Sequence, residues 1–317
     1  MQMRNRLLLA LCVLALGCSK IEPLVMDSAW LSRVDDSTPV CFLAIPGAHD
    51  AATGTLNQFI VSAFARTQAL GIEGLWDAGV RAFDLRPALV GGSLQIYHGA
   101  ISANISLQDA VDVLLGKLDS ESGEFAVVVI RHEDEADSDD PLWEDAMSEY
   151  LRSLPPERVL REFSPGLTVG EMRGKILFLS RDYYAPEPVG AYINGWYSGA
   201  NLERQKSASI GRGSLWVQDL YDPSSTDEKW EAFETLAEEF SSELSGDVWC
   251  INHCSAYISE IFGLPNYARN AADINGRAAS LGYRLRGIIM MDFAGVDLYN
   301  SLNVRGAELI KAIISAN

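Results

Sequence analysis

The chain has 317 residues, 48% hydrophobic and 21% charged, which fits one large α/β domain or two ordinary ones. That composition excludes a disordered chain, a collagen-like repeat and a disulfide-dense miniature. Lys and Arg total 25 against 43 Asp and Glu, a net charge of −18, so neither nucleic acid nor an anionic membrane is a partner held by bulk charge.

In chain order, the first feature is an address. Arg4 and Arg6 precede an apolar run over 7–16 that is too short to span a bilayer, which reads as a secretory signal peptide at 1–17. Its end, Leu-Ala-Leu-Gly-Cys at 14–18, resembles a bacterial lipobox, in which Cys18 is lipidated and becomes the mature N-terminus. The expectation is an exported lipoprotein anchored through Cys18 at the periplasmic or cell-surface side, with plain secretion as the alternative. Residues 18–38 read as a tether and entry segment, and 39–317 as one domain.

Strand-like runs then fall at 40–45, 81–85, 94–97, 125–131, 175–180, 215–218, 248–252 and 285–292. Helix-period segments at 107–118, 141–154, 227–244, 267–281 and 295–315 lie between or after them. The strands are nearly all apolar rather than alternating, as in a sheet buried on both faces. Eight such strands with helical crossovers suggest a single (β/α)8-type TIM barrel of the α/β class. A doubly wound open sheet would need a Gly-rich phosphate turn after its first strand, and Pro-Gly-Ala-His-Asp at 46–50 is not one. Two irregularities are expected: a tight turn over 87–93 with no room for a helix, and a long substrate-facing loop over 181–215 carrying Tyr183, Tyr184, Trp196 and Tyr197. Cys41 and Cys250 lie in apolar runs and read as small buried hydrophobes. A Cys250–Cys254 bridge is not expected, and no Cys/His cluster has structural zinc spacing.

In a barrel of this kind, chemistry gathers at the C-terminal strand ends. Those ends carry His49 and Asp50, Asp84 and Arg86, His98, Arg131 with His132 and Glu133, Arg181, Asp219 and Tyr221, His253, and Asp292. All four histidines of the chain lie at such ends. Two imidazoles from different strands can serve as general base and general acid. Carboxylates can orient them, and arginines can clamp a phosphate and stabilise charge developing on it. This is a set for cleaving a phosphodiester without a metal.

The residues that carry this chemistry also carry a resemblance. Ala-Ile-Pro-Gly-Ala-His-Asp at 44–50, Gly-Val-Arg-Ala-Phe-Asp-Leu-Arg at 79–86 and His-Gly at 98–99 resemble the X region of phosphatidylinositol-specific phospholipases C. Met-Arg-Gly-Lys-Ile at 172–176, Trp-Val-Gln-Asp-Leu-Tyr at 216–221 and Ile-Met-Met-Asp at 289–292 extend the likeness, and the second is similar to the bacterial branch. The resemblance implies phosphatidylinositol at a membrane surface as substrate and diacylglycerol with inositol 1,2-cyclic phosphate as products. It implies His49 as general base, His98 as general acid, Arg86 on the phosphate, Asp292 on His49, Asp50 beside Arg86 at the leaving group and Asp84 supporting His98. Arg131, Arg181, Asp219 and Tyr221 would read the inositol ring. Glu133 and His253 are further candidates, whereas His132 reads as structural.

Calcium-dependent relatives place a second acid two residues after the one matching Asp84, and here that position is Arg86. A guanidinium supplies the positive charge in place, so no cofactor and no calcium are expected. Neither nucleic acid nor an obligate protein partner is implied. The alternatives are a divalent-metal phosphodiesterase on the same barrel and a non-catalytic inositol- or glycan-binding module.

Overall fold

The computed structural model describes residues 28–56, 65–160, 162–183, 191–258 and 266–317. The expected signal peptide, Cys18, the tether up to residue 27 and Tyr184 lie outside the described residues.

Thirteen strands matter to the site. They are β1 (Ala44–Ala48), β2 (Ala82–Leu85), β3 (Pro87–Val90), β4 (Ser93–His98), β5 (Ile101–Ser106), β6 (Ala126–Ile130) and β7 (Val159–Leu160). There follow β8 (Ile176–Ser180), β9 (Ala191–Asn194), β10 (Ala208–Ile210), β11 (Gly213–Gln218), β12 (Val248–His253) and β13 (Gly287–Met291). Nine of them close a ring in the order β1-β2-β6-β8-β9-β10-β11-β12-β13 and back to β1. All neighbours in it are parallel except β10, which runs against both β9 and β11. The fold is thus a closed, mostly parallel, irregular TIM-like barrel.

The apolar strands make sense on this ring, because each has a face to the lumen and a face to the helices. On β6, Val127 and Val129 pack with Ile45, Leu177, Val217, Ile251 and Ile288 inside the barrel. Ala126, Val128 and Ile130 pack outward with Leu107, Val111, Leu114 and Met147. Trp30 and Leu31 join the inner cluster from the N-terminal end. The helix Leu107–Ser120 covers the outer face and starts on a capping box, Ser106 with Asp109.

Several expectations are corrected. The stretch 40–45 splits into a 3-10 turn, Val40–Phe42, and β1, because Pro39 opens a turn rather than a ladder. The 94–97 strand exists but is not a barrel stave. It is the centre of an antiparallel sheet, β3-β4-β5, that stands apart from the ring, and the supposed tight turn at 87–93 is β3 and its hairpin. The described part of the long loop supplies β9 and β10, which complete the ring. The 295–315 helix is confined to Gly306–Ser315, since Gly295, Asn300, Ser301 and Arg305 all have positive φ and cannot continue a right-handed helix. Among the described residues no helix is long and apolar enough to cross a membrane.

Candidate active site

The ring delivers its polar residues to one end. His49 follows β1, Arg86 follows β2, Arg131 follows β6, Arg181 follows β8, Asp219 follows β11 and Asp292 follows β13; His253 ends β12. His98 arrives differently, from the tip of β4 in the side sheet, which leans its end over the barrel mouth.

Asp50 is the hub. It sits in the left-handed region at φ 44°, a conformation aspartate tolerates, and this turns the chain out of β1 into the 3-10 turn Ala51–Thr55. Its Oδ2 lies 3.4 Å from Nε2 of His49 and 3.4 Å from Nε2 of His98, so one carboxylate faces both imidazoles. Its Oδ1 pairs with Nε of Arg86 at 2.7 Å. Burial opposes ionisation of Asp50, but the charges of Arg86, His49, His98 and Arg131 overcome it and hold the carboxyl far below its ordinary range.

Arg86 fills the centre. Nη2 donates to Nε2 of His49 at 2.9 Å and to Oδ2 of Asp84 at 3.1 Å, and Nη1 lies 3.8 Å from Glu133. A guanidinium can only donate, so Nε2 of His49 is the acceptor and the ring proton sits on Nδ1. That proton is given to Oδ1 of Asp292 at 2.8 Å. Burial works against the imidazolium, but Asp50 and Asp292 outweigh it and raise the His49 pKa. His98 uses its own Nδ1 on the carbonyl of Ala65 at 2.8 Å, leaving Nε2 directed at Asp50. Tyr267 packs against the His98 ring, with centroids 5.9 Å apart.

The opposite wall is made by Arg181, Asp219, Trp196 and His253. Trp196 Nε1 donates to Oδ2 of Asp219 at 2.9 Å, and the Arg181 guanidinium lies over the Trp196 ring at 4.1 Å and 3.6 Å from Asp219. Burial resists the Asp219 charge, yet His253, Arg181 and Lys229 hold it well below the usual carboxylate range. His253 joins this wall to His49, its ring 6.0 Å from that of His49 and 5.7 Å from that of Trp196. Burial pushes its pKa down to about 3, against the pull of Asp219. Burial also raises Glu133 to about 7, against the pull of Arg86.

One sequence expectation changes here, and the structural reading of His132 holds. Asp84 lies against Arg86 and the amide of Asp50, and the carboxylate facing His98 is that of Asp50. His132 is drawn away to Asp137, at 2.9 Å, and stacks on Trp143 at 4.4 Å, which keeps it out of the site. The cysteines Cys41, Cys250 and Cys254 are free and buried. Sequence reasoning missed the supports. Gln68 donates to the carbonyls of His49 (2.7 Å) and Met291 (2.9 Å) and clips β1 to β13. Thr67 donates to the carbonyl of His49, and the carbonyl of Ala65 fixes the His98 tautomer. A backbone carbonyl leaves no mark in a sequence.

Among the described residues, His49, Asp50 and Asp84 form the one group whose ligand atoms lie close enough together, within 4.8 Å, to hold a metal ion. Arg86 is bonded to all three. The donor set is therefore already committed to a cation, and a divalent ion beside the guanidinium would be repelled. Buried polar atoms without a hydrogen-bond partner also gather here, among them Oδ2 of Asp50, Oδ2 of Asp292, Oε2 of Glu133 and Nε2 of His253. Such atoms are costly unless a ligand or solvent meets them. Chemically, the arrangement is a cationic centre flanked by one imidazole that accepts a proton and another that can give one, beside a polar wall.

No protein-family model matches the chain. It is 26% identical over 289 residues to the 1-phosphatidylinositol phosphodiesterase of Listeria monocytogenes, spanning 86% of this chain and 83% of that one. It is 26% identical over 277 residues to the enzyme of the same name from Staphylococcus aureus strain Newman, covering 84% and 88%. A solved structure of the Staphylococcus aureus phosphatidylinositol-specific phospholipase C, from work on its membrane binding, superposes with a TM-score of 0.77 over 92% of this chain and 99% of that one, at 23% identity. The Listeria monocytogenes enzyme gives 0.68 over 92% and 98%, at 21% identity. Fold and site thus define an irregular TIM-like barrel with an acid–base centre at the strand ends. By sequence and fold together, the chain is similar to bacterial phosphatidylinositol-specific phospholipases C.

Proposed function

We propose that the protein cleaves phosphatidylinositol at the phosphodiester, without a metal, by acid–base catalysis between His49 and His98. The observation that carries this reading is the placement of both Nε2 atoms 3.4 Å from one carboxylate, with the Arg86 guanidinium between the histidines' partners.

The inositol 2-hydroxyl gives its proton to Nε2 of His49 as its oxygen bonds to phosphorus. The bond from phosphorus to the glycerol oxygen breaks, and His98 protonates that oxygen from Nε2. Diacylglycerol leaves, and inositol 1,2-cyclic phosphate remains. The nucleophile is already tethered to the phosphate, which removes the entropy cost of bringing it there. Asp292 holds the His49 tautomer and stabilises the imidazolium that forms. Arg86 releases Nε2 of His49 to the hydroxyl and turns its donors to the non-bridging phosphate oxygens, where charge builds up. Asp84 and Asp50 aim it. Arg131, Arg181, Asp219 and Tyr221 would bind the ring hydroxyls and face. Water can then open the cyclic ester, with His98 as base and His49 as acid.

Arg86 supplies the positive charge that a calcium ion would bring, and it does so on the residues that would ligate one. The lipid substrate places the reaction at a membrane surface, and the lipobox-like 14–18 segment proposes a lipid anchor on Cys18 for an exported enzyme.

A leaving-group test separates the two histidines. His49→Ala and His98→Ala should each lower kcat on phosphatidylinositol by about 10²–10⁴. An inositol phosphodiester with a nitrophenol leaving group, which departs without a proton, should restore His98→Ala and not His49→Ala. Equal rescue of both, or neither loss, would show the roles to be wrongly assigned.

A further inference from the structure

Lys229 is a charged side chain with no solvent exposure, on the helix Thr226–Ser241 outside the barrel. Burying an ammonium is expensive unless something repays it. No carboxylate lies within ion-pair distance of it among the described residues; its Nζ donates instead to Oε1 of Gln218 at 3.0 Å and to the carbonyl of Leu220 at 2.9 Å. These two residues flank Asp219. Oε1 of Gln218 also accepts the amide of Leu220 at 2.7 Å, so the turn is closed on itself around Asp219.

The network continues to the next strand. Gln218 Nε2 donates to Oδ1 of Asn252 and to the carbonyl of His253, both at 2.8 Å. Asn252 Nδ2 donates back to the carbonyl of Phe233, on the same helix as Lys229, at 2.9 Å. One helix, the end of β11 and the end of β12 are thus locked in a triangle. Its free corners are Asp219 and His253, which form the wall opposite the catalytic histidines, and Tyr221 follows two residues after Asp219. Burial drags the Lys229 pKa down to about 8, against the pull of Asp219.

We infer that Lys229 is a positioning residue, which sets the turn bearing Asp219 and Tyr221 so that it can read the hydroxyl pattern of a cyclitol ring. The inference rests on the phosphatidylinositol reading for the identity of the ring, and on geometry alone for the positioning. Lys229 touches no reacting atom. Its loss should therefore weaken ring binding more than the chemical step.

The test uses Lys229→Met, which keeps the stem and removes the donors, with Gln218→Leu breaking the same network from its other end. Two readouts are taken on each variant with intact near-ultraviolet circular dichroism. The first is the indole N–H resonance of Trp196, assigned through Trp196→Phe, which reports the bond to Asp219 directly. The second is kcat and KM on phosphatidylinositol micelles, with inhibition by free myo-inositol. Expected are a shifted Trp196 resonance, a rise in KM and in the inositol inhibition constant of about tenfold, and a kcat changed several-fold less. A Trp196 resonance that stays in place with unchanged KM in either folded variant would overturn the inference. If the wild-type enzyme does not turn over phosphatidylinositol at all, the functional reading fails, while the Trp196 shift still decides the positioning role.

Discussion

At the residue scale, the His49–Asp292 pair sets the pH behaviour. His49 must be neutral to accept a proton, and its pKa is raised above the ordinary 6.5, so the acid limb of kcat/KM should lie above that value. Burial and Arg86 push the pKa down; Asp50 and Asp292 push it up. Asp292→Asn removes one of the two raising charges, so the limb should move to lower pH, and kcat should fall by about 10²–10⁴ as the tautomer is lost. A pH–rate profile checks both, and an unmoved limb would mean that another group titrates there. Residue types at this scale were legible in the sequence, because polar residues stand out where an apolar strand ends. Their pairings were not. Asp84 and Asp50 are both acids near His98 in any barrel drawing, and only the left-handed turn at Asp50 decides which carboxylate faces both imidazoles.

At the scale of elements, the barrel's N-terminal end is held by a buried pair that the chemistry never uses. Arg81 Nε donates to Glu124 at 2.9 Å with both side chains fully buried, and the guanidinium lies 3.8 Å over Trp76. Glu124 also accepts the amides of Leu31 and Ser32, so the pair ties β2 and the start of β6 to the entry segment. Arg81→Leu would leave a buried carboxylate without its cation and should cost about 3–5 kcal/mol. The double variant Arg81→Leu, Glu124→Leu should recover part of it, as measured by urea unfolding; equal losses in both would point to packing on Trp76 instead. Strands buried on both faces were readable as apolar runs. The side sheet was not, since Pro87 and the Gly91–Gly92 pair read as a plain turn, although φ values of 61° and 76° at those glycines serve a hairpin. The apolar periodicity over 295–315 misled for a related reason. Val296 and Val304 are buried in a small cluster with Phe293 through loop geometry, not through a helix face.

At the scale of the molecule, the net charge of −18 and the proposed phosphate site are reconciled by locality. Arg86, Arg131 and Arg181 follow three strands of the ring and lie close enough to act on one another, in a chain that is acidic in sum. A net charge of that sign does not draw the protein to anionic lipid, and the proposed anchor on Cys18 would hold it near a membrane without such attraction. Cys18→Ser should then move the protein from the membrane fraction to the soluble one, as seen by fractionation and by loss of lipid mass on the N-terminal peptide. Retention in the membrane would refute the anchor and leave the barrel chemistry untouched. The barrel class was legible from strand and helix alternation, whereas β9 and β10 were hidden in a stretch rich in Gly, Ser and Tyr that lacks the apolar signature of the other staves.

The central claim is that Arg86, and not a metal ion, carries the charge on the phosphate between two histidines. The direct measurement is phosphorus NMR of phosphatidylinositol vesicles incubated with the enzyme in excess EDTA. The expected result is the resonance of inositol 1,2-cyclic phosphate, appearing at the same rate with and without added calcium. Turnover that appears only when calcium is restored would contradict the claim.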